Sequence, residues 1–352
     1  MRRCSRPPSS AVRSEGGRVV EHEPRRVLVV THTGREQAVE VARAAHRLLT
    51  GAGLQVRLLG DEAEALKLEP AEVVDDHEKA ALDVELIMVL GGDGSILRGA
   101  ELARPHGTPV LGVNLGHVGF LAEAEVDDLE RIVQVVVDRS YTVEERMTLA
   151  VEVRLAGELI FDTWALNEAS IEKAAREKML EVLVEVDDRP LSRWGCDGVV
   201  VATPTGSTAY AFSAGGPIVW PEVEAILMVP LSAHALFSRP IVVAPTSRLS
   251  IELVPSWHGR GVLWCDGRRM VEVPPGAEIE VRRGKTPVRL ARAHEAPFTD
   301  RLVAKFDLPV LGWRGAAERK RNGNTNTSGN TNDSTISNSS DNGNGSNSQQ
   351  ET

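Results

Sequence analysis

What this chain lacks narrows it before any motif is read. Its three cysteines are Cys4, Cys196 and Cys265, and no two stand at the C-x-x-C spacing of a zinc site. A disulfide framework is equally out of reach, which fits a reducing compartment and makes the cytoplasm the expected location. No apolar run is long enough to cross a bilayer, so no membrane partner is expected. The opening text, MRRCSRPPSSAVRSEGGR, is charged but has no apolar stretch of the kind a secretory signal carries, and residues 1–24 read as a disordered leader. Positive charge is also scarce: 40 Lys and Arg face 50 Asp and Glu, a formal net charge of −10. A general nucleic-acid binder needs a basic surface to neutralise phosphates, so nucleic acid is not an expected partner. A local basic pocket for a small phosphorylated ligand remains open. Neither G-x-x-x-x-G-K-[ST] nor G-x-G-x-x-G occurs, so any phosphate is held by another arrangement.

What is present suffices for one large domain or two ordinary ones: 352 residues, 42% hydrophobic and 26% charged. RRVLVV at 25–30 reads as a β-branched strand. Ala38, Val41, Ala42, Ala45, Leu48 and Leu49 then recur at helical spacing until Gly51 and Gly53 close the helix. Strands follow at LQVRLL (54–59), VELIMVL (84–90) and TPVLGVN (108–114), with helices from near Ser95 to before Pro105 and around Asp127–Val137. This alternation predicts a Rossmann-like parallel α/β domain over residues 25–143. Past Ser140–Met147 the text turns to short alternating segments, among them LAVEVRL, LEVLVEVD, GVVVAT and AEIEVRR, divided by Gly, Pro, Asp and Asn. That pattern predicts an antiparallel β-sandwich-like domain over 144–296. Residues 297–318 read as a C-terminal segment returning to the first domain, and the Asn/Ser-rich stretch 319–352 as a disordered tail.

Four glycine- or hydroxyl-rich segments carry the chemistry. Gly91-Gly92-Asp93-Gly94-Ser95 closes an apolar strand and opens a helix. In an open α/β sheet ligands sit beyond the carboxyl ends of strands, and glycines there let backbone N–H groups approach a phosphate at a helix N-terminus. A solvated aspartate in a tight turn is the plain reading of the same text, and a carboxylate there has little to pack against. NLGHVGFLAE at 114–123 is a second glycine-rich strand end, with Phe120 an anchor and His117 structural. ALNEAS pairs Asn167, donor and acceptor, with Glu168, which can accept from ribose hydroxyls or an exocyclic amine. WGCDGVVVATPTGSTAYAFSAGGPIV crowds Thr203, Thr205, Ser207, Thr208 and Ser213 around Pro204 and Gly206, beside the aromatic face of Tyr210. That composition suits a sugar or base plus a phosphate. Asp266-Gly267, between GVLWC and RMVEV, is first of all a two-residue hairpin turn.

In this order, the GGDG loop, N-x-G-x-x-G-F-L, the Asn-Glu pair and D-G…T-P-T-G-S-T-A-Y resemble the NAD kinase family, the ATP- or polyphosphate-dependent enzymes that make NADP. The resemblance covers roughly Arg25 to Trp313. It implies NAD held between an α/β and a β-sandwich-like domain, with Asp93 as the base facing the ribose 2′-hydroxyl. It further implies NAD contacts from Asp93, Gly94, Asn167, Glu168, Asp197, Thr208, Ala209, Tyr210, Ala211, Phe212 and Ser213, and charged contacts from Arg98 and Lys178. Gly91, Gly92, Gly94 and Ser95 would form the phosphate-donor loop. Two positions depart from the family pattern: Ser95 stands where Thr is frequent, and Arg268 where Gln is frequent.

Phosphoryl transfer has a loose transition state, so positioning and charge neutralisation matter most and little is asked of the base. Mg²⁺ is expected as cofactor, held chiefly by phosphates and water and not by protein ligands. The resemblance implies a homodimer or homotetramer. A lipid kinase would share GGDG but want a greasier acceptor site; a non-catalytic dinucleotide sensor would keep the pocket without a donor; a dehydrogenase is disfavoured by the missing G-x-G-x-x-G.

Overall fold

The apolar strands β1 (Arg26–Thr31), β4 (Leu86–Leu90) and β5 (Val110–Asn114) are buried along nearly their whole length and pair in parallel at the centre of the first sheet. The computed structural model describes residues 24–310 apart from 76, 78, 117–118, 123, 126–127, 176–178, 256–259 and 295–296. The first stretch contains β1 (Arg26–Thr31), α1 (Glu36–Gly51), β2 (Gln55–Leu59), α2 (Gly60–Leu66), β3 (Glu72–Val74), β4 (Leu86–Leu90), α3 (Asp93–Ala103), β5 (Val110–Asn114), β6 (Ala124–Glu125), α4 (Leu129–Val137) and β7 (Thr142–Arg146). There follow β8 (Leu149–Leu155), β9 (Glu158–Ala165), β10 (Glu168–Lys173), β11 (Leu180–Val186), β12 (Arg189–Cys196), β13 (Gly198–Ala202), α5 (Tyr210–Ser213), β14 (Ile226–Leu231), β15 (Ile241–Val243), β16 (Leu249–Leu253), β17 (Gly261–Cys265), β18 (Arg269–Val273) and β19 (Ala277–Arg283). Last come β20 (Val288–Arg292) and α6 (Phe298–Phe306).

The α/β sheet has the order β3-β2-β1-β4-β5-β20-β7, with β6 beside β5. From β1 the chain steps to β2 on one side, while β4 lies on the other, so the sheet has its topological switch point between β1 and β4. Val27, Val29, Met88 and Leu90 pack against Val41, Ala45 and Leu49 of α1 and Ile132 and Val136 of α4. On the opposite face Leu28, Val30, Ile87 and Val89 meet Ile96 and Ala100 of α3. Gly99 lets α3 approach closely, since a Cβ there would stand 2.5 Å from Val89 Cγ2.

The antiparallel half is a pair of six-stranded sheets, β15-β14-β13-β10-β17-β18 and β12-β11-β16-β19-β8-β9. Their inner faces interdigitate: Val151, Val153, Val182, Val184, Ile251 and Ile279 pack on Ala169, Ile171, Val199, Val201, Met228 and Leu263. Cys196 and Cys265 lie inside this core, and burial pushes both thiols up to about 12. The α/β domain followed by antiparallel sheets is the predicted class.

Several boundaries differ from the sequence reading. Helix α3 starts at Asp93 and not near Ser95, because Ser95 and Ile96 already donate their N–H groups to Gly92 O. Short α2 and β3 carry too little apolar pattern to be foreseen. Strand β7 crosses the expected 143/144 boundary, and β20, inside the stretch assigned to 144–296, returns to the α/β sheet before residue 297. It pairs parallel with β5 and antiparallel with β7; alternating text reads alike in either sheet. Residues 1–23 and the tail 319–352 lie outside the described residues. No described helix is long and apolar enough to cross a membrane.

Candidate functional site

A cavity of about 350 Å³ opens at the switch point, beyond the carboxyl ends of β1 and β4. Thr31, His32, Arg35, Gly91, Gly92, Gly94, Ser95, Arg98 and Arg268 line it. Gly92 and Gly94 have nothing within 4 Å of where a Cβ would point, so the loop presents bare backbone to open space. The first N–H groups of α3 are unsatisfied there by helix geometry and favour an anion. Arg98 holds Glu62 at 2.8 Å and Asp61 at 3.2 Å. Glu62 is only 1% exposed. Burial pushes its carboxyl up to about 7 against the pull of Arg98, and its Oε2 has no hydrogen-bond partner. Arg35 stands exposed with no carboxylate partner among the described residues. Arg98 thus stands at the glycine loop, where its place one turn into the following helix lets it add charge to an anion site.

Asp93 is more firmly held than a loop carboxylate was expected to be. Phe120 N donates to its Oδ2 and Leu121 N to its Oδ1, both at 3.1 Å. Gly119 is glycine for the same reason: a Cβ there would collide with the Asp93 carboxylate. Two motifs far apart in sequence therefore meet at one side chain. Each carboxylate oxygen accepts one N–H and keeps a second acceptor direction.

The Asn-Glu pair follows directly from this contact. Leu166 shares a buried cluster with Ile96, Leu97, Leu121 and Ala122, which sets Asn167 and Glu168 beside the Asp93 loop. Asp266 does more than make a turn. Its left-handed backbone, φ 55°, and Gly267 at φ 63° form the hairpin. Its buried carboxylate accepts from Leu166 N at 2.9 Å and Asn167 N at 2.7 Å and pairs with Arg269 at 2.7 Å. Burial raises the Asp266 carboxyl above its usual range even so. Glu168, 8% exposed, is pushed up to about 8, first by burial and then by Asp266; the Tyr210 N–H pulls the other way. At neutral pH it is largely protonated and can donate a hydrogen bond, where the sequence suggested only an acceptor. Its Oε2 is buried without a partner.

The hydroxyl-rich loop proves to be mostly self-contained. Thr203 Oγ1 donates to Leu166 O and accepts from Gly206 N; Ser207 Oγ donates to Pro204 O and accepts from Val219 N. Thr208 Oγ1 bonds Thr205 O. These hydroxyls fold the loop, and only composition, not direction, was readable beforehand. Gly206 is needed because a Cβ there would strike the Asn167 backbone, so this loop seats directly on the Asn-Glu pair. In the run itself Tyr210, Phe212 and Ser213 are exposed, Thr208 and Ala209 are half-buried, and Ala211 packs inward with Val200, Ala202, Leu227 and Val229. The Tyr210 hydroxyl is raised by burial and by Glu172, Glu168 and Asp197, which puts those carboxylates on one strip. Asp197 is ion-paired with Lys173 and lowered by it. Arg268 bonds Glu101 of α3 at 3.0 Å and reaches the rim of the glycine cavity. Lys178 and His117 lie outside the described residues.

Among the described residues the arrangement is an anion cavity at the glycine loop, an amide-bound aspartate in that same loop, and a carboxylate-rich strip around Tyr210. It suits transfer of a phosphoryl group onto a hydroxyl. Comparison with known proteins gives this class its family. Residues 27–141 match the ATP-NAD kinase N-terminal domain and residues 166–293 the ATP-NAD kinase C-terminal domain. A protein of Thermobifida fusca named NAD kinase is 60% identical over 317 residues, covering 88% of this chain and 97% of that one. A Rhodococcus jostii NAD kinase is 50% identical, covering 86% and 99%. Among solved structures, an Archaeoglobus fulgidus NAD kinase in complex with ATP aligns with TM-score 0.62 at 25% identity, over 80% of this chain and 98% of that one. Yeast NADH kinase complexed with NADH shares the fold at TM-score 0.74 and 24% identity, over 83% and 90%. The chain belongs to the ATP-NAD kinase family.

Proposed function

We propose that the chain transfers the terminal phosphoryl group of ATP to the 2′-hydroxyl of the adenosine ribose of NAD, giving NADP. The observation that carries this reading is the placement of Asp93. It sits in the glycine loop that lines the cavity, with both oxygens held by the N–H groups of Phe120 and Leu121, and Leu121 shares a buried cluster with Leu166, the residue before Asn167-Glu168. Gly91, Gly92, Gly94 and Ser95 would receive the donor phosphates. Asn167, the largely protonated Glu168, Tyr210 and Asp197 offer donors and acceptors for ribose and base. The hydroxyl oxygen attacks the terminal phosphorus, the bond to the bridging oxygen breaks, and the hydroxyl proton passes to Asp93. In a loose transition state that transfer comes late, so orientation outweighs basicity.

Mg²⁺ fits as an ion brought in with the phosphates. Among the described residues no group of three or more His, Cys, Asp or Glu forms a ligand set, and Ser95 and Asp93 supply only isolated oxygens beside the cavity. When bound, it would neutralise donor charge. A cytoplasmic homodimer or homotetramer belongs to the same proposal. The test is NADP formation from NAD with ATP and Mg²⁺, run beside inorganic polyphosphate as donor. Turnover with ATP supports the reading, turnover with polyphosphate alone corrects the donor, and NAD binding without turnover with either rejects it in favour of a sensor.

A further inference from the structure

We infer that Arg301 is a positioning residue for the transfer, acting on Asp93 through the peptide group between Phe120 and Leu121. The inference rests on the reading of Asp93 as proton acceptor. The geometry is a three-part chain. Arg301 Nη1, on α6, donates to Phe120 O at 3.1 Å. The same peptide group, through Leu121 N, donates to Asp93 Oδ1 at 3.1 Å. A cation on the carbonyl of a peptide polarises its N–H and makes it a stronger donor. The amide that fixes Asp93 is therefore strengthened from behind by a side chain from the far end of the described chain.

The neighbouring contacts confine the same peptide. Arg292 Nη1 donates to Leu121 O at 3.3 Å, securing the next carbonyl. The Phe120 ring lies against Phe298 and Phe306 of α6, each at 5.9 Å between centroids. Phe306 in turn touches Phe212 of α5 at 4.8 Å. Helix α6 thus touches both the loop that holds Asp93 and the segment expected to meet the dinucleotide. Because a loose transition state depends on placement more than on base strength, loosening this amide acts on turnover and not on NAD binding.

The experiment compares the full-length parent, R301M, D93N and the double variant by steady-state kinetics and thermal melting. R301M is expected to lower kcat about tenfold with the KM for NAD within about twofold, and Arg301→Lys to recover much of the loss. In the D93N background the same replacement is expected to change residual turnover by less than about twofold, since the group it positions is gone. An equal loss in both backgrounds, a loss confined to KM, or no loss overturns the inference. If R301M does not fold, R301K and R301Q replace it: kcat falling from Arg to Lys to Gln supports the inference, and equal kcat for the last two overturns it. D93N turning over near the parent rate removes the base reading and this inference with it. A D93N variant with little turnover beside an R301M at parent rate removes the inference alone.

Discussion

The two sides of the site are built from opposite kinds of ionisable group, and hold them differently. Around the glycine cavity stand Arg35, Arg98 and Arg268, with His32. They are exposed or half-exposed, and two are tied to acids that a phosphate can replace. On the other side stand Glu168 and Asp266, carboxyls buried beyond nine-tenths, both pushed up by burial and Glu168 by Asp266 as well. Cations at a wet rim can follow a multiply charged, mobile ligand. Carboxyls in a dry pocket are fixed and change their protonation instead, which suits hydroxyls and an amine. Asp93, in the glycine loop, follows neither pattern: it is half-buried and held by peptide N–H groups rather than by a salt bridge.

The sharpest way to break this contrast is at the residue that stands outside it. Asp93→Asn should lower kcat by about 10²–10⁴-fold while calorimetric affinity for NAD stays within a few-fold. The structure adds a stability cost, because the new amide NH₂ must face one of two backbone N–H groups; leaving one unsatisfied costs about 1–3 kcal/mol, seen as a lower Tm. Turnover within a few-fold of the parent would return Asp93 to a structural role.

Next in size, Arg98→Ala should raise the KM for the phosphate donor about tenfold and leave that for NAD within twofold. A change confined to NAD would move Arg98 to the acceptor side. Arg268→Gln is expected to weaken NADP more than NAD, by roughly two- to fivefold, as befits a rim charge already shared with Glu101. Equal effects measured by titration would leave it a hairpin-surface residue.

The smallest effect concerns the dry side. Glu168 is raised from 4.5 to about 8, so the folded state holds its proton where the unfolded state has lost it. Stability is then full below the unfolded value and declines as pH rises through the window from 4.5 to about 8. Glu168→Gln removes that term. Its Tm should match or trail the parent near pH 4 and overtake it by a few degrees above pH 8. Because Glu62 titrates in the parent and the variant alike, the difference between their melting curves reports Glu168 and the Asp266 charge coupled to it; parallel curves would show that folding does not shift the ionisation of Glu168.

Much of the scaffold was legible because the relevant signals are local. Apolar runs at Val27–Val30 and Val84–Leu90 announce strands, the second apolar enough to be buried on both faces, and Gly91 and Gly92 announce where the second one ends. The meeting of the motifs was not legible. That Asp93 bonds Phe120 and Leu121, or that Asp266 carries the backbone before Glu168, depends on chain crossings that no periodicity encodes. Hydroxyls at Thr203 and Ser207 were visible as composition, but their direction is set by the turn around Pro204 and Gly206. The ionisation of Glu168 follows from burial under distant residues and was invisible for that reason. Helix α6 was expected only as a returning segment, and the clustering of Phe298 and Phe306 on Phe120 is likewise a product of the fold.

The pairing of β7 with β20 has a topological outcome. Arg146 lies opposite Val288, so the chain leaves the α/β sheet and re-enters it at adjacent points. Everything between, both six-stranded sheets included, is in effect the turn of one oversized hairpin. The antiparallel half is an insertion whose two ends are already neighbours, so its entry into and exit from the α/β sheet are fixed by a single strand pair. It also means that any swing of one half against the other has two strands side by side as its axle.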